Sequence, residues 1–125
     1  MISLTIIGLL FVHFVFDFIL QTHEMAINKS SSNKWLTKHV AIYTGGLFVS
    51  YIWILVTGIL LSYPVFIGWV LLNGVLHWIT DYFTSRKSKY YFSKKDYHNG
   101  FIVVGFDQLI HYVCLFGTLE LFSRI

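Results

Sequence analysis

The chain has 125 residues, of which 56% are apolar, 19% aromatic and only 12% charged, with a formal net charge of +3. An average soluble domain carries roughly 25% charged residues, and small domains have proportionally more surface to cover. Nine Lys/Arg and six Asp/Glu cannot cover it, which excludes an ordinary cytosolic domain, and a single cysteine excludes a disulfide scaffold.

The first apolar run, Ile2–Leu20, predicts a membrane helix. It lacks a basic leader and a small-residue cleavage site, so it reads as a retained helix and not a signal peptide. The second run, Val40–Leu61, holds 22 residues without a charge, long enough to cross a hydrocarbon core of about 30 Å. Val65–Phe83 is the third, interrupted by His77 and Asp81, and Phe101–Phe122 the fourth, carrying Asp107, His111 and Glu120. The expectation is an all-α, four-helix integral membrane bundle in one domain over residues 1–125, with helices over about 2–21, 39–61, 65–84 and 101–122. Its connections are Gln21–Lys38, a tight turn Ser62–Pro64 with Pro64 as helix breaker, and Thr84–Gly100.

Lys29, Lys34 and Lys38 fall in the first connection, and Arg86, Lys87, Lys89, Lys94 and Lys95 in the third. Four spans put these two connections on one side, and basic short loops stay cytoplasmic. Both termini are therefore expected on the outer face of an inner, or plasma, membrane. The basic charge is a topology signal, and no nucleic-acid partner is expected. The lipid bilayer and a second copy of the chain are the expected partners.

Ionisable residues inside spans are costly and point to function. Span one has His13, Asp17 and Gln21 at i, i+4 and i+8; span three has Asn73, His77 and Asp81 at the same spacing. Span four has Asp107, Gln108 and His111, and span two opens with His39. Residues four apart share a helix face, so three helices each present a His/Asp pair. In the expected orientation the pairs lie at one depth, in the cytoplasmic half. Imidazole plus carboxylate without thiolate suits a divalent metal, zinc first and then iron or manganese.

The expected ligands are His13, His77, Asp81 and His111. Asp17 and Asp107 are expected as catalytic carboxylates, ligands or general base. Gln21, Lys29, His39 and Gln108 are expected to line the mouth or bind substrate, with Lys29 placed to meet a phosphate. Asn73 reads as a helix–helix hydrogen bond, His23 and His98 as solvated, and Ala41 with Gly45 as a close-packing pair.

The segments HFVFDFILQTHEMAINK, LTKHVAIYT, LHWITDYF and FDQLIHYV together resemble a family of small bacterial and phage inner-membrane proteins classed as a domain of unknown function. The resemblance covers nearly the whole chain and implies a polytopic protein with a polar intramembrane centre. It supplies no reaction. A looser similarity is to membrane-bound metal-dependent hydrolases. The leading expectation is therefore a membrane-embedded metal-dependent hydrolase acting on a lipid or amphipathic substrate. The alternatives are a divalent-cation or proton transporter subunit using the same residues as a relay, a haem bundle, and a membrane interaction factor with a structural metal.

Overall fold

The computed structural model describes residues 2–125, with side chains from Leu4 onward. Among them it is all-α, with no strand. In chain order the helices are α1 (Ile2–Phe14), a π-helical turn (Val15–Ile19), α2 (His23–Asn28), α3 (Asn33–Leu47), α4 (Ser50–Val56), α5 (Tyr63–Ser93) and α6 (Tyr97–Phe122). Three stretches are long and apolar enough to cross a membrane: 33–56, 63–93 and 97–122. A shorter apolar helix covers Leu4–Ile19.

The bundle is apolar outside and polar within. Leu4, Ile7, Phe11, Phe14 and Phe18 form an exposed stripe on the first helix, as do Leu71, Val75, Ile79 and Phe83 on α5 and Phe106, Leu109 and Val113 on α6. These stripes run at three- and four-residue spacing, so one face of each helix is left uncovered by protein. The buried set contains His13, Asp17, His39, His77, Asp81 and His111. Toward the other end the interior is sealed by Leu9, Leu47, Ile54, Phe66, Trp69 and Leu115, all 0% exposed.

Several boundaries depart from expectation for local reasons. The expected helix 2–21 is not one α-helix. At Val15–Ile19 it widens into a π turn, where the Leu20 amide bonds the Val15 carbonyl at 2.9 Å. The first connection is largely helical. Thr22 caps α2 by accepting from the Met25 amide, and α3 begins at Asn33, six residues before His39. The second span breaks at Phe48–Val49, after Gly45 and Gly46. The ladder there tightens to bonds from Phe48 to Gly45 and from Val49 to Gly46, and the Ser50 hydroxyl donates to the Leu47 carbonyl. Gly and Ser pairs are a usual cause of such kinks.

Pro64 opens a helix instead of ending one. It sits in the first turn of α5, where its missing N–H costs nothing. The turn before it is made at Gly58, with φ 87°. The third connection is short: α5 runs on to Ser93, and Lys94–Asp96 turn the chain, with Lys95 at φ 58°. α5 is thus 31 residues, about 46 Å at 1.5 Å per residue.

Close helix approach occurs at Gly46 and Gly74, not at the expected Ala41/Gly45 pair. A Cβ on Gly46 would stand 2.1 Å from Phe16 Cγ and one on Gly74 2.4 Å from Thr44 Oγ1, whereas Gly45 has nothing within 4 Å. Phe16 belongs to the π turn, so Gly46 sets how that turn meets α3. Gly46→Ala is expected to lower stability by about 1–3 kcal/mol through overpacking. Gly45→Ala is expected to be neutral or to stabilise by up to about 1 kcal/mol. Thermal unfolding of both variants in detergent checks the contrast.

Candidate metal centre

Each polar side chain reaches the interior by a different route. The π turn carries Asp17, 3% exposed, while His13 comes from the last turn of α1. His39 lies within the second turn of α3, followed one turn later by Tyr43. His77, Asp81 and Thr84 follow one another along α5, and Asp107, Gln108 and His111 along α6.

Four donor atoms converge. His39 Nε2 lies 3.0 Å from Asp17 Oδ1, 3.4 Å from Asp81 Oδ2 and 3.3 Å from His77 Nε2. His77 Nε2 lies 3.2 Å from Asp17 Oδ1 and 3.7 Å from Asp81 Oδ2. Zinc bonds of about 2.0–2.1 Å in a tetrahedron separate the ligand atoms by about 3.3 Å. The five separations scatter around that edge. Two imidazole nitrogens and two carboxylate oxygens packed this closely need a cation or protons among them. The group Asp17, His39, His77 and Asp81 is geometrically able to hold a metal ion, as are His13, Asp17 and His111, and Asp81, Asp107 and His111.

Ring stacking fixes the imidazoles. His77 stacks on His111 with centroids 4.0 Å apart and planes 2° from parallel, and Tyr43 stacks on the other side at 4.0 Å. One feature departs from usual metal-ligating histidines, whose second nitrogen is tied to an acceptor. Nδ1 of both His39 and His77 is buried without a hydrogen-bond partner.

Gln108 decides the state of His13. Its Nε2 donates to Asp17 Oδ2 at 3.1 Å and Asp107 Oδ2 at 3.0 Å, so its Oε1 faces His13 Nε2, 2.9 Å away. Two carboxylates on one side require the amide nitrogen there, which makes His13 Nε2 the donor to Oε1. Nδ1 then accepts from the Tyr43 hydroxyl at 3.2 Å. Both nitrogens of His13 are engaged, and the residue braces the centre.

The expected ligand quartet is therefore distributed differently. His77 and Asp81 sit in the four-donor group together with Asp17 and His39, while His13 and His111 lie beside it. His39, expected at the mouth, is 0% exposed. The mouth expectation assumed a helix opening at His39, whereas α3 starts a turn and a half earlier. Gln21, Lys29 and Gln108 do line a cavity of about 440 Å³ whose floor includes Asp17, Asp81 and Asp107. Asn73 makes the interhelical bond expected of it, Nδ2 to Thr118 Oγ1 at 2.9 Å.

Tyr43 and Thr84 were not singled out by the sequence. Tyr43 is four residues from His39, and the Thr84 hydroxyl, three residues from Asp81, donates to Asp107 Oδ1. Helical spacing from a known site residue was the available signal for both.

Lys29 Nζ donates to Asp81 Oδ2 at 2.8 Å. Burial alone lowers a lysine pKa, but the Asp81 and Asp17 carboxylates outweigh it and hold the ammonium above its usual range. A raised folded-state pKa stabilises at every pH below the unfolded value, and that stability is lost only as pH climbs through the folded one.

Residues 5–123 match the family described as Protein of unknown function (DUF3307), and the chain is a member of it. No curated protein and no solved structure matches the chain.

Replacing one partner of a buried ion pair leaves the other charge uncompensated, at about 3–5 kcal/mol. Lys29→Met is therefore expected to lower the stability of metal-free protein by an amount in or below that range. The deficit should be constant across neutral pH and shrink only in the lysine titration range. Unfolding midpoints of both proteins against pH check it.

Proposed function

We propose that the protein is a membrane-embedded, metal-dependent hydrolase, with Asp17, His39, His77 and Asp81 holding a divalent ion beside a cavity that admits an amphipathic ester. The observation that carries this is the buried four-donor group, its donor atoms all within 4.8 Å of one another, next to an open cavity. Zinc suits two imidazoles and two carboxylates best, with iron and manganese as alternatives.

The four apolar segments are read as four membrane spans. Arg86, Lys87 and Lys89 on the α5 extension and the lysines around α2 lie at one end of the bundle. Basic segments stay cytoplasmic, so both termini face outward and the cavity opens to the cytoplasmic leaflet. In a variant lacking Cys114, a cysteine at Ser88 is expected to escape a membrane-impermeant thiol reagent in intact cells, whereas one at Ser123 is expected to react. The reverse pattern contradicts the orientation.

The cavity wall is mixed. Lys89 offers an ammonium and Ser85 a hydroxyl beside the Lys29–Asp81 pair, while Phe18, Ile27 and Phe92 offer apolar surface. The Ser85 hydroxyl is buried and unpartnered. That combination supports a substrate with an anionic head and an acyl or prenyl tail. A divalent ion held beside these residues would supply Lewis acidity for activating a water. Asp107, oriented by Thr84 and Gln108, lines the cavity and takes the proton as the water oxygen bonds to the acyl carbon or phosphorus. The ester bond to the leaving oxygen breaks, and Asp107 returns the proton to that oxygen. His13 holds Gln108, and through it the Asp17 and Asp107 carboxylates.

The transporter alternative needs a polar route through the other half of the bundle. The Leu9, Leu47, Ile54, Phe66, Trp69 and Leu115 plug argues against one.

Purified protein is expected to contain stoichiometric divalent metal and to release product from phospholipid or acyl-ester micelles. Chelation should abolish release, readded zinc should restore it, and His39→Ala and His77→Ala should lower it at least a hundredfold. Metal-free folded protein, or turnover indifferent to chelation, overturns the reading.

A further inference from the structure

Four protein donors fill a tetrahedral ion's coordination, whereas a catalytic ion keeps a position open. An incoming oxygen therefore needs a second place to bind. His111 lies 2% exposed at the side chain, and neither ring nitrogen has a hydrogen-bond partner. Its Nε2 is 3.5 Å from Asp81 Oδ1, and its Nδ1 is 3.6 Å from Asp107 Oδ2. Asp81, Asp107 and His111 each offer a donor atom, all within 4.8 Å of one another. The two oxygens of Asp81 face different partners: Oδ2 accepts from Lys29 Nζ at 2.8 Å and faces His39 and His77, and Oδ1 faces His111.

We infer that the centre is dinuclear, with a second divalent ion held by Asp81, Asp107 and His111 and with Asp81 bridging the two. The inference rests on the metal-dependent reading above and deepens it. Asp17 meets the first group through Oδ1, while its Oδ2 shares the Gln108 amide with Asp107 Oδ2, and His13 is committed to Gln108 and Tyr43.

Three protein ligands leave open positions, and both Asp81 and Asp107 line the cavity. Asp107 would meet the ion through Oδ2, in place of the Gln108 amide that donates there at 3.0 Å, and take the proton at Oδ1, which the Thr84 hydroxyl orients. Two ions held by these residues would supply charge stabilisation for a phosphoryl displacement.

Charge gives the substrate class. Three carboxylates against the Lys29 ammonium leave a double negative charge. One divalent ion neutralises it, and a second makes the centre doubly positive. Such a centre attracts a dianion, so the substrate is an amphiphilic phosphate monoester. Water attacks phosphorus, the bond to the leaving oxygen breaks, and the products are inorganic phosphate and a lipid alcohol.

The test is to load purified, chelator-stripped protein in detergent with manganese and to measure bound metal and its electron paramagnetic resonance spectrum. Two equivalents per chain and an exchange-coupled spectrum are expected. Asp107→Asn and His111→Gln should each bind one equivalent and give an isolated-ion spectrum. One equivalent in the unsubstituted protein overturns the second site and leaves the mononuclear reading standing, while none overturns both. Two equivalents retained by both variants also overturns the assignment. Should a variant fail to fold, the spectrum of the unsubstituted protein decides alone. Coupling supports the pair, and an uncoupled signal overturns it. Release of phosphate from a lipid phosphate monoester, with no release of fatty acid from a neutral ester, is expected of the loaded protein; the opposite preference overturns the substrate class.

Discussion

Three carboxylates share the interior of a bundle only four helices wide, and one ammonium faces them. Moving an ion into low dielectric costs several kcal/mol even after relaxation, so an interior holding Asp17, Asp81 and Asp107 is stable only if positive charge is supplied there. The architecture answers to that need. The Lys29 side chain reaches back from the α2–α3 connection to Asp81. His39 and His77 direct one nitrogen each at the carboxylates, and Gln108 spans Asp17 and Asp107 with its amide. Imidazoles also make the compensation exchangeable, because a ring that shares protons with a carboxylate can instead offer its lone pair to a metal. A divalent ion on the four-donor group would cancel charge where protons would otherwise be needed.

Holding these groups at about 3 Å from one another requires close backbones. Gly46 against Phe16 and Gly74 against Thr44 bring α3 to the π turn and to α5. The π turn itself adds a residue's worth of rotation at the position of Asp17, which is where π segments tend to occur in functional sites. With polar groups inside and apolar stripes outside, the chain inverts the usual soluble pattern. Beyond the centre the interior is filled by a tight apolar plug of Leu9, Leu47, Ile54, Phe66, Trp69 and Leu115.

Much of this is legible in the sequence. Four apolar segments and a His/Asp face on three of them follow from hydropathy and four-residue spacing. Helix ends were less legible. Basic, polar residues such as Arg86 and Lys89 read as a loop, yet they continue α5, because propensity favours a helix there and a helix end can stand clear of the membrane. Pro64 was read as a breaker when it is also a good first-turn residue. His39 follows the same logic: the polar composition of Asn33–Lys38 reads as loop, which puts His39 at the rim, whereas those residues form the first turns of α3 and bury it. The π turn has no sequence signature, and the division of labour between His13 and His39 depends on which way an amide and two rings face. That is set by neighbours from four different helices and cannot be read from spacing.

X-ray absorption at the edge of the bound metal in purified protein tests the central claim, that the His/Asp centre is a metal site. A first shell of nitrogen and oxygen only, at about 2.0–2.1 Å for zinc, with imidazole outer-shell scattering that falls in His39→Ala, is the predicted result. Folded protein with no metal, or a metal whose shell contains sulfur from Cys114 and keeps its imidazole scattering in that variant, would contradict it.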